Sequence, residues 1–146
     1  MHKTSVYVLP VIAFVFLSFT IAARTRPNQD KKLNESIERG EKVYQAKCLT
    51  CHMANGQGIP SVYPPLVATE NIADKAFLSR VVKNGLRGTF VIKGLTYKAT
   101  MEGTNLTDKE IADVLNYIRN SWGNANDLVT PEEVNTFLKQ ESETGK

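Results

Sequence analysis

Apolar residues recur at helical spacing in three stretches of this 146-residue chain, and they predict three helices. The first runs from Asn34, a suitable N-cap, to Ala46, with Ile37, Gly40 and Tyr44 on one face. The second begins at Asp74 and ends before Gly85. The third runs from Thr107 to Trp122 and opens with the capping box Thr-Asp-Lys-Glu.

Two weaker elements complete the pattern. The β-rich stretch from Thr89 to Tyr97 is broken by Lys93-Gly94, which predicts a short hairpin. Thr130-Pro131 opens a short helix with a second capping box. Its apolar face comprises Val134, Phe137 and Leu138. The expected fold class is all-α, with about three main helices and one short hairpin.

Residues 6–23 carry no charge and consist largely of aliphatic and aromatic residues. Such a run at an N-terminus predicts either a cleaved export signal or a retained membrane anchor, and the sequence leaves the two open. Residues 24–33 have no apolar period and contain a proline, so we interpret them as a linker. The predicted organisation is a leader over 1–23, a linker over 24–33 and one domain over 34–146.

Charge is distributed unevenly along the exported part. Without Lys3 of the leader, 17 basic and 15 acidic side chains remain, a formal charge of +2 that is too small to favour nucleic acid. Residues 75–98 carry six bases and no acid. This basic run either steers an acidic partner or is simply a solvated face.

The chemistry of the chain is concentrated in Cys48-Leu-Thr-Cys51-His52, a C-x-x-C-H motif. This motif is the attachment signal for c-type haem, in which each thiol adds to one vinyl group of the porphyrin. The neighbouring His52 then lies under the ring and can bind the iron as the proximal ligand. We therefore expect one covalent haem c with its iron.

Other interpretations of a C-x-x-C pair remain. It could be a redox disulfide, but the surrounding βαβ pattern of thioredoxin-like proteins is absent. A zinc site needs two more ligands, and the only other histidine is His2 in the leader. A structural disulfide is the third alternative, and all three would leave the chain without haem.

A six-coordinate iron needs a second axial ligand, and the chain has three methionines. Met1 lies in the leader, and Met53 is too close to His52 to reach the opposite face of the haem. Met101 is left by elimination, and its thioether would raise the reduction potential relative to a second histidine. A proline carbonyl in the Pro64-Pro65 segment is available to accept a hydrogen bond from the other ring nitrogen of His52.

These features together resemble the small class I monohaem cytochromes c of the bacterial periplasmic type, over about Glu35 to Asn124. The resemblance rests on the haem motif, on Gly40 and Tyr44 before it, on Pro64-Pro65-Leu66, and on Met101 ahead of a helix. It also rests on the last helix and its continuation, Tyr117-Ile-Arg-Asn-Ser-Trp-Gly-Asn124. One departure is Glu102, which stands where many members have proline.

The resemblance implies further contacts. The first and last helices should cross at Gly40 and Tyr117. The carbonyl of Pro64 should accept the hydrogen bond of His52, and Tyr97 should reach the haem or its propionates.

The resemblance also implies a function. We expect an electron-transfer protein without bond chemistry of its own, in the periplasm or on the outer face of the cytoplasmic membrane. Its redox partners would be a respiratory complex, a terminal oxidase or a periplasmic dehydrogenase. The alternative is a haem enzyme or sensor with an open sixth position, similar to a peroxidase. A thiol–disulfide protein without haem is the third hypothesis.

Overall fold

The computed structural model describes residues 26–144, so the predicted leader lies outside the described residues. Leu33–Lys146 forms one compact unit. The elements in chain order are α1 Arg26–Lys47, α2 Leu49–His52, a 3-10 turn Glu70–Ala73, α3 Lys75–Asn84, β1 Gly85–Ile92, β2 Leu95–Glu102, α4 Asp108–Asn120 and α5 Pro131–Thr144. Between residues 26 and 144, no helix is both long and apolar enough to cross a membrane.

Helix α4 provides the centre of the core. The predicted capping box is present, because the Thr107 hydroxyl accepts from the Glu110 amide while the Glu110 carboxylate accepts from the Thr107 amide. The predicted apolar face is buried and packs with residues of α1, α3 and α5. The fully buried apolar residues of this core include Tyr44, Ile111, Val114, Leu115, Val129 and Val134.

Helices α1 and α4 approach each other closely at Gly40. A Cβ atom at this position would collide with the backbone carbonyl of Asp113 and would lie 3.0 Å from Cβ of Tyr117. Only glycine permits this approach, which offsets its cost of about 1 kcal/mol in a helix interior. The crossing implied by the family resemblance is therefore confirmed.

A polar cluster at the same crossing was not predicted. The carboxylate of Asp113, 4% exposed, accepts hydrogen bonds from Ser36, from Arg39 at 2.8 Å and from Lys109 at 2.8 Å. Burial alone would raise the pKa of Asp113, but these hydrogen bonds outweigh it and hold the pKa below its ordinary value. The cluster thus joins α1 to α4 beside Gly40.

The first helix corrects two sequence predictions. Helix α1 begins at Arg26 rather than Asn34, so residues 26–33 are helical and not an irregular linker. Pro27 was part of the reason for interpreting residues 24–33 as a linker, yet it lies in the first helical turn. There the missing N–H has no intrahelical partner, so proline is tolerated.

The fold is mostly helical, in agreement with the predicted all-α class, and the predicted hairpin is present as two strands. Strands β1 and β2 pair antiparallel over eight residues each, so the hairpin is longer than predicted. Its turn is Lys93-Gly94 as predicted, with positive φ at both residues (50° and 75°), as the favoured two-residue hairpin turn requires.

Helix α5 is anchored to α3 and α4 by polar contacts as well as by its apolar face. It is longer than the short helix predicted, and it continues to Thr144. Lys75 on α3 donates to the Leu128 carbonyl at 2.7 Å and forms an ion pair with Glu133. Asn116 on α4 exchanges two hydrogen bonds of 2.8 Å with the backbone of Val129. The predicted Asp74 cap of α3 is also present.

Replacing Asp113 with Asn should lower the free energy of unfolding at neutral pH by about 1–3 kcal/mol, because it removes the acceptor of two cations at a buried position. Because the native pKa of Asp113 is depressed, its stabilisation is present above the unfolded pKa of about 3.9 and is lost as the pH falls through the native pKa. Guanidinium unfolding of the holoprotein at several pH values measures this.

The matched control is Glu70→Gln, which neutralises an exposed acid whose side chain forms no ion pair or hydrogen bond within residues 26–144. It should change the free energy of unfolding by less than about 0.5 kcal/mol. A stability difference between wild type and Asp113→Asn that stays constant from neutral pH to pH 3 would contradict the assigned role of the cluster.

Candidate haem site

The C-x-x-C-H motif is folded as a single helical turn. The Cys48 amide donates to Tyr44 O at the end of α1, and the amides of Cys51 and His52 both donate to Cys48 O, at 3.2 and 3.0 Å. Residues three apart on a helical turn lie on the same side. Cys48 and Cys51 are therefore presented together, and neither is in a disulfide.

The imidazole of His52 is held by one hydrogen bond. Its Nδ1 lies 3.0 Å from the Pro64 carbonyl oxygen, as the resemblance implied. A carbonyl can only accept, so Nδ1 carries the proton and Nε2 keeps its lone pair. Burial lowers the pKa of His52, while the bond to Pro64 opposes that shift. The side chain is therefore a neutral imidazole with one nitrogen free for a metal.

A tight loop brings the Pro64 carbonyl to His52. The Gly58 amide donates to His52 O at 3.1 Å, and the amide of Ile59 donates to Tyr63 O at 2.8 Å. Gly58 has φ +60°, and a Cβ there would collide with the Tyr63 carbonyl and lie 2.7 Å from Pro64 O. Glycine is thus required for the chain to pass under the acceptor of His52.

Cys48 does not have the raised reactivity of a catalytic thiol. Burial raises the pKa of Cys48 to about 11, and the neighbouring Cys51 adds to the shift. Catalytic cysteines need the opposite shift, because the thiolate is the nucleophile. Among residues 26–144, no group of three His, Cys, Asp or Glu side chains could hold a metal ion.

The other two predicted residues lie together on the hairpin. Directly opposed residues share a face, and the register opposes Tyr97 to Phe90 and Met101 to Leu86. Tyr97 and Met101 are four residues apart on β2, so they lie on the same face. Tyr97 is 2% exposed. This face is apolar, and within the described part of the chain no hydrogen bond links it to His52.

An aromatic cluster that the sequence did not predict holds the backbone next to the haem motif. The rings of Tyr44, Tyr117 and Trp122 lie with centroids 5.2–5.4 Å apart. The Tyr44 hydroxyl donates to Met53 O at 2.7 Å, and Trp122 Nε1 donates to Ala54 O at 3.2 Å. These two bonds fix the backbone immediately after His52. The helical spacing of Tyr117 indicated only core packing.

Asn124 connects the end of α4 to the Pro64 loop. Its side-chain amide donates to Leu66 O at 2.9 Å and to Ile118 O at 2.8 Å, and its oxygen accepts from the Ala68 amide. The loop that positions the acceptor of His52 is thus attached to the core helix. Apart from the family resemblance, nothing in the sequence indicated that Asn124 holds this loop.

The donor set fits a covalently attached haem. The site presents two unpaired thiols on one turn, a neutral imidazole with a free Nε2, and a separate apolar face bearing a thioether. This set matches what thioether attachment and axial ligation require. Fold and site together define a small, mostly helical haem-attaching protein.

Comparison with known proteins agrees with this definition. The family model Cytochrome c matches residues 37–122. Cytochrome c-552 of Thermus thermophilus is 42% identical over 92 residues, 59% of this chain and 70% of that protein. The gluconate 2-dehydrogenase cytochrome c subunit of Pantoea cypripedii is 31% identical over 134 residues, 83% of this chain but 30% of the relative. A quinone alcohol dehydrogenase cytochrome c subunit of Gluconobacter oxydans is 36% identical over 90 residues, 58% of this chain and 18% of the relative.

The chain therefore belongs to the cytochrome c family. It has a single C-x-x-C-H motif, so it is a monohaem cytochrome that carries haem c covalently and transfers electrons. The sequence predictions of the family, of haem c and of electron transfer are confirmed.

Replacing Gly58 with Ala should lower the free energy of unfolding of the holoprotein by about 2–4 kcal/mol, from left-handed strain and from collision with the loop carbonyls. Displacing the Pro64 carbonyl weakens the hydrogen bond to His52 and makes the imidazole less basic. The reduction potential should therefore rise. Chemical unfolding and voltammetry measure the two effects.

Gly94→Ala provides the matched control, because Gly94 also has positive φ but has nothing within 4 Å of its would-be Cβ. It should lose only about 1–2 kcal/mol and keep its reduction potential. Equal effects of the two substitutions on the potential would show that the Pro64 contact does not tune His52.

Proposed function

We propose that this cytochrome is a one-electron carrier with its haem attached through Cys48 and Cys51 and its iron held by His52 and Met101. The observation that carries the proposal is the hydrogen bond from His52 Nδ1 to Pro64 O, within the same segment as two unpaired thiols. That bond prepares the imidazole for an axial role and serves no evident purpose in a thiol protein.

The chain's own residues have positioning roles in this proposal. Bound haem supplies the iron(III)/iron(II) couple. The Pro64 carbonyl keeps the proton on Nδ1 and the ring in one orientation, so His52 stays in place when the charge of the site changes. Tyr97 lies on the same face of the hairpin as Met101 and is buried, so it excludes water from that face. Fixed ligands in both oxidation states keep the rearrangement that accompanies electron transfer small.

We further propose that the protein performs no bond chemistry. His52 is the single histidine after the leader, and it already has its proposed role. The general acids and bases that an open-site peroxidase needs are therefore poorly supplied around the iron.

The proposed location is outside the cytoplasm, with residues 1–23 as export signal or anchor. The proposed partners are redox proteins such as a dehydrogenase, a respiratory complex or a terminal oxidase. The names of the relatives support this class, since two of those described above are cytochrome c subunits of dehydrogenases.

A second candidate is a subunit of a dehydrogenase rather than an independent carrier. The alignment to the gluconate 2-dehydrogenase subunit, which spans 83% of this chain, favours it. Co-purification of the native protein with a dehydrogenase subunit in a fixed ratio would support this candidate. An uncomplexed native protein would support the independent carrier.

Replacing Met101 with Ala tests the axial assignment. Loss of the thioether should keep the covalent haem and lower the potential by a fraction of the roughly 0.8 V range that axial ligands span. The ferrous variant should also bind carbon monoxide, because the sixth position is open, whereas the wild type should not. Voltammetry and absorption spectroscopy measure these effects.

Met53→Ala is the control, since it removes the other methionine of the exported part and leaves the backbone hydrogen bonds of residue 53 in place, including the one from Tyr44. It should leave the potential unchanged and bind no carbon monoxide. Carbon monoxide binding by the wild-type ferrous protein would instead favour an enzyme or sensor with an open site.

Mass spectrometry of the native mature protein tests attachment and export together. We expect the mass of one haem added to the polypeptide, with the N-terminus either after the leader or at residue 1 for a retained anchor. A native protein without the haem mass would overturn the attachment through Cys48 and Cys51.

A further inference from the structure

In the basic run of residues 75–98, some of the charged side chains have partners in the structure and others do not. Lys75 forms ion pairs with Asp127 and Glu133, Lys83 donates to Leu106 O at 2.9 Å, and Arg87 pairs with Glu102 at 3.0 Å. The side chains of Lys93 and Lys98 form no ion pair or hydrogen bond within the described residues. The available positive charge of the hairpin is therefore concentrated towards its turn.

The strand register places these charges around an apolar residue. On the face opposite Tyr97 and Met101, the opposed pairs are Arg87 with Thr100, Thr89 with Lys98, and Val91 with Thr96. Val91 is 66% exposed, the largest exposure among the exposed large hydrophobic residues of the described chain. At the base of this face, Arg87 is neutralised by Glu102. We define the hairpin tip as Thr89, Val91, Lys93, Thr96 and Lys98.

The chemistry of the tip indicates what fits it. No acidic residue occurs between Asp74 and Glu102, so the tip has two cations and an apolar centre without a compensating negative charge of its own. A complementary surface would have carboxylates around an apolar centre. Such complementarity steers encounter and fixes orientation.

Resting on the proposed carrier function, we propose that the hairpin tip is the docking surface for an acidic redox protein with an apolar centre. Its position suits electron exchange. The tip and the face bearing Tyr97 and Met101 are opposite sides of one two-stranded sheet. A partner on the tip therefore lies one sheet thickness from the side chains proposed to surround the haem.

The test uses the complete holoprotein and an electrode coated with mixed carboxylate- and methyl-terminated alkanethiols, which imitates an acidic surface with apolar patches. The double variant Lys93→Gln/Lys98→Gln should bind about tenfold more weakly at low ionic strength, as expected for two lost charge contacts. Val91→Thr keeps the β-branched shape. Relative to wild type, it should lose more binding on the mixed layer than on a layer of carboxylates alone.

The matched control is Lys42→Gln/Lys47→Gln, which removes the same charge from the exposed side of α1. It should weaken binding less than about twofold. Equal weakening by both double variants would show that net charge alone governs adsorption, and would overturn the docking surface. Unchanged binding of the hairpin variant would do the same.

Two further arms separate other roles of these lysines. Lysines on strands with an unpaired outer edge also prevent edge-to-edge association. Self-association of the hairpin variant with unchanged electrode binding would therefore overturn the proposal. Equally strong, hairpin-dependent binding to phosphatidylglycerol vesicles would assign the tip to a lipid surface and overturn it too.

Different results would contradict the carrier function and the docking surface. Normal adsorption without a reversible haem current would count against the axial ligands. A normal current with adsorption that does not depend on the hairpin would count against the tip alone.

Discussion

A single hydrogen bond, from His52 Nδ1 to the Pro64 carbonyl, determines what the haem motif can do. The carbonyl accepts and cannot donate, so it selects one tautomer and leaves Nε2 available. Burial lowers the pKa of His52 and keeps the ring neutral, as a metal ligand must be. The bond has a strict geometric requirement, because its acceptor is on a loop twelve residues further along the chain. The remaining structure can be understood as the means of keeping that loop fixed.

Two sets of contacts meet that requirement from opposite directions. The aromatic cluster fixes the backbone after His52 through Met53 O and Ala54 O, while Asn124 holds Leu66 O beyond Pro64. Tyr117 and Trp122 of the cluster, like Asn124, belong to α4 or directly follow it. The position of α4 relative to the haem motif is in turn set at Gly40, where no Cβ would fit, and by the Asp113 cluster beside it. The contacts that stabilise the crossing of α1 and α4 therefore also help to position His52.

The sequence predicted those features that depend on neighbouring residues. The capping box at Thr107, the Asp74 cap and the Lys93-Gly94 turn are local, and all three are present. The predicted start of α1 was wrong because proline is tolerated in the first turn of a helix, although it is disfavoured in a helix interior. The Asp113 cluster was missed because its partners Ser36 and Arg39 are more than 70 residues away. The spacing of Asn116 and Arg119 was typical of the polar side of an amphipathic helix, but both are buried and bonded to Val129 and Asp127 in the segment before α5. The uses of Lys75 and Lys83 were equally invisible, since their acceptors lie far along the chain.

These buried polar groups decide where the folding unit of this cytochrome ends. The family match stops at residue 122, yet Arg119, 1% exposed, donates to Asp127 O at 2.8 Å and to its carboxylate at 2.9 Å. A buried guanidinium without these acceptors would cost several kcal/mol. Asn116, fully buried, likewise needs the backbone of Val129. Asp127 and Val129, which lie beyond the family match, therefore provide acceptors for two buried polar side chains of α4. The same α4 carries Tyr117 and leads into Trp122 and Asn124, so it also supports the loop that presents Pro64 to His52.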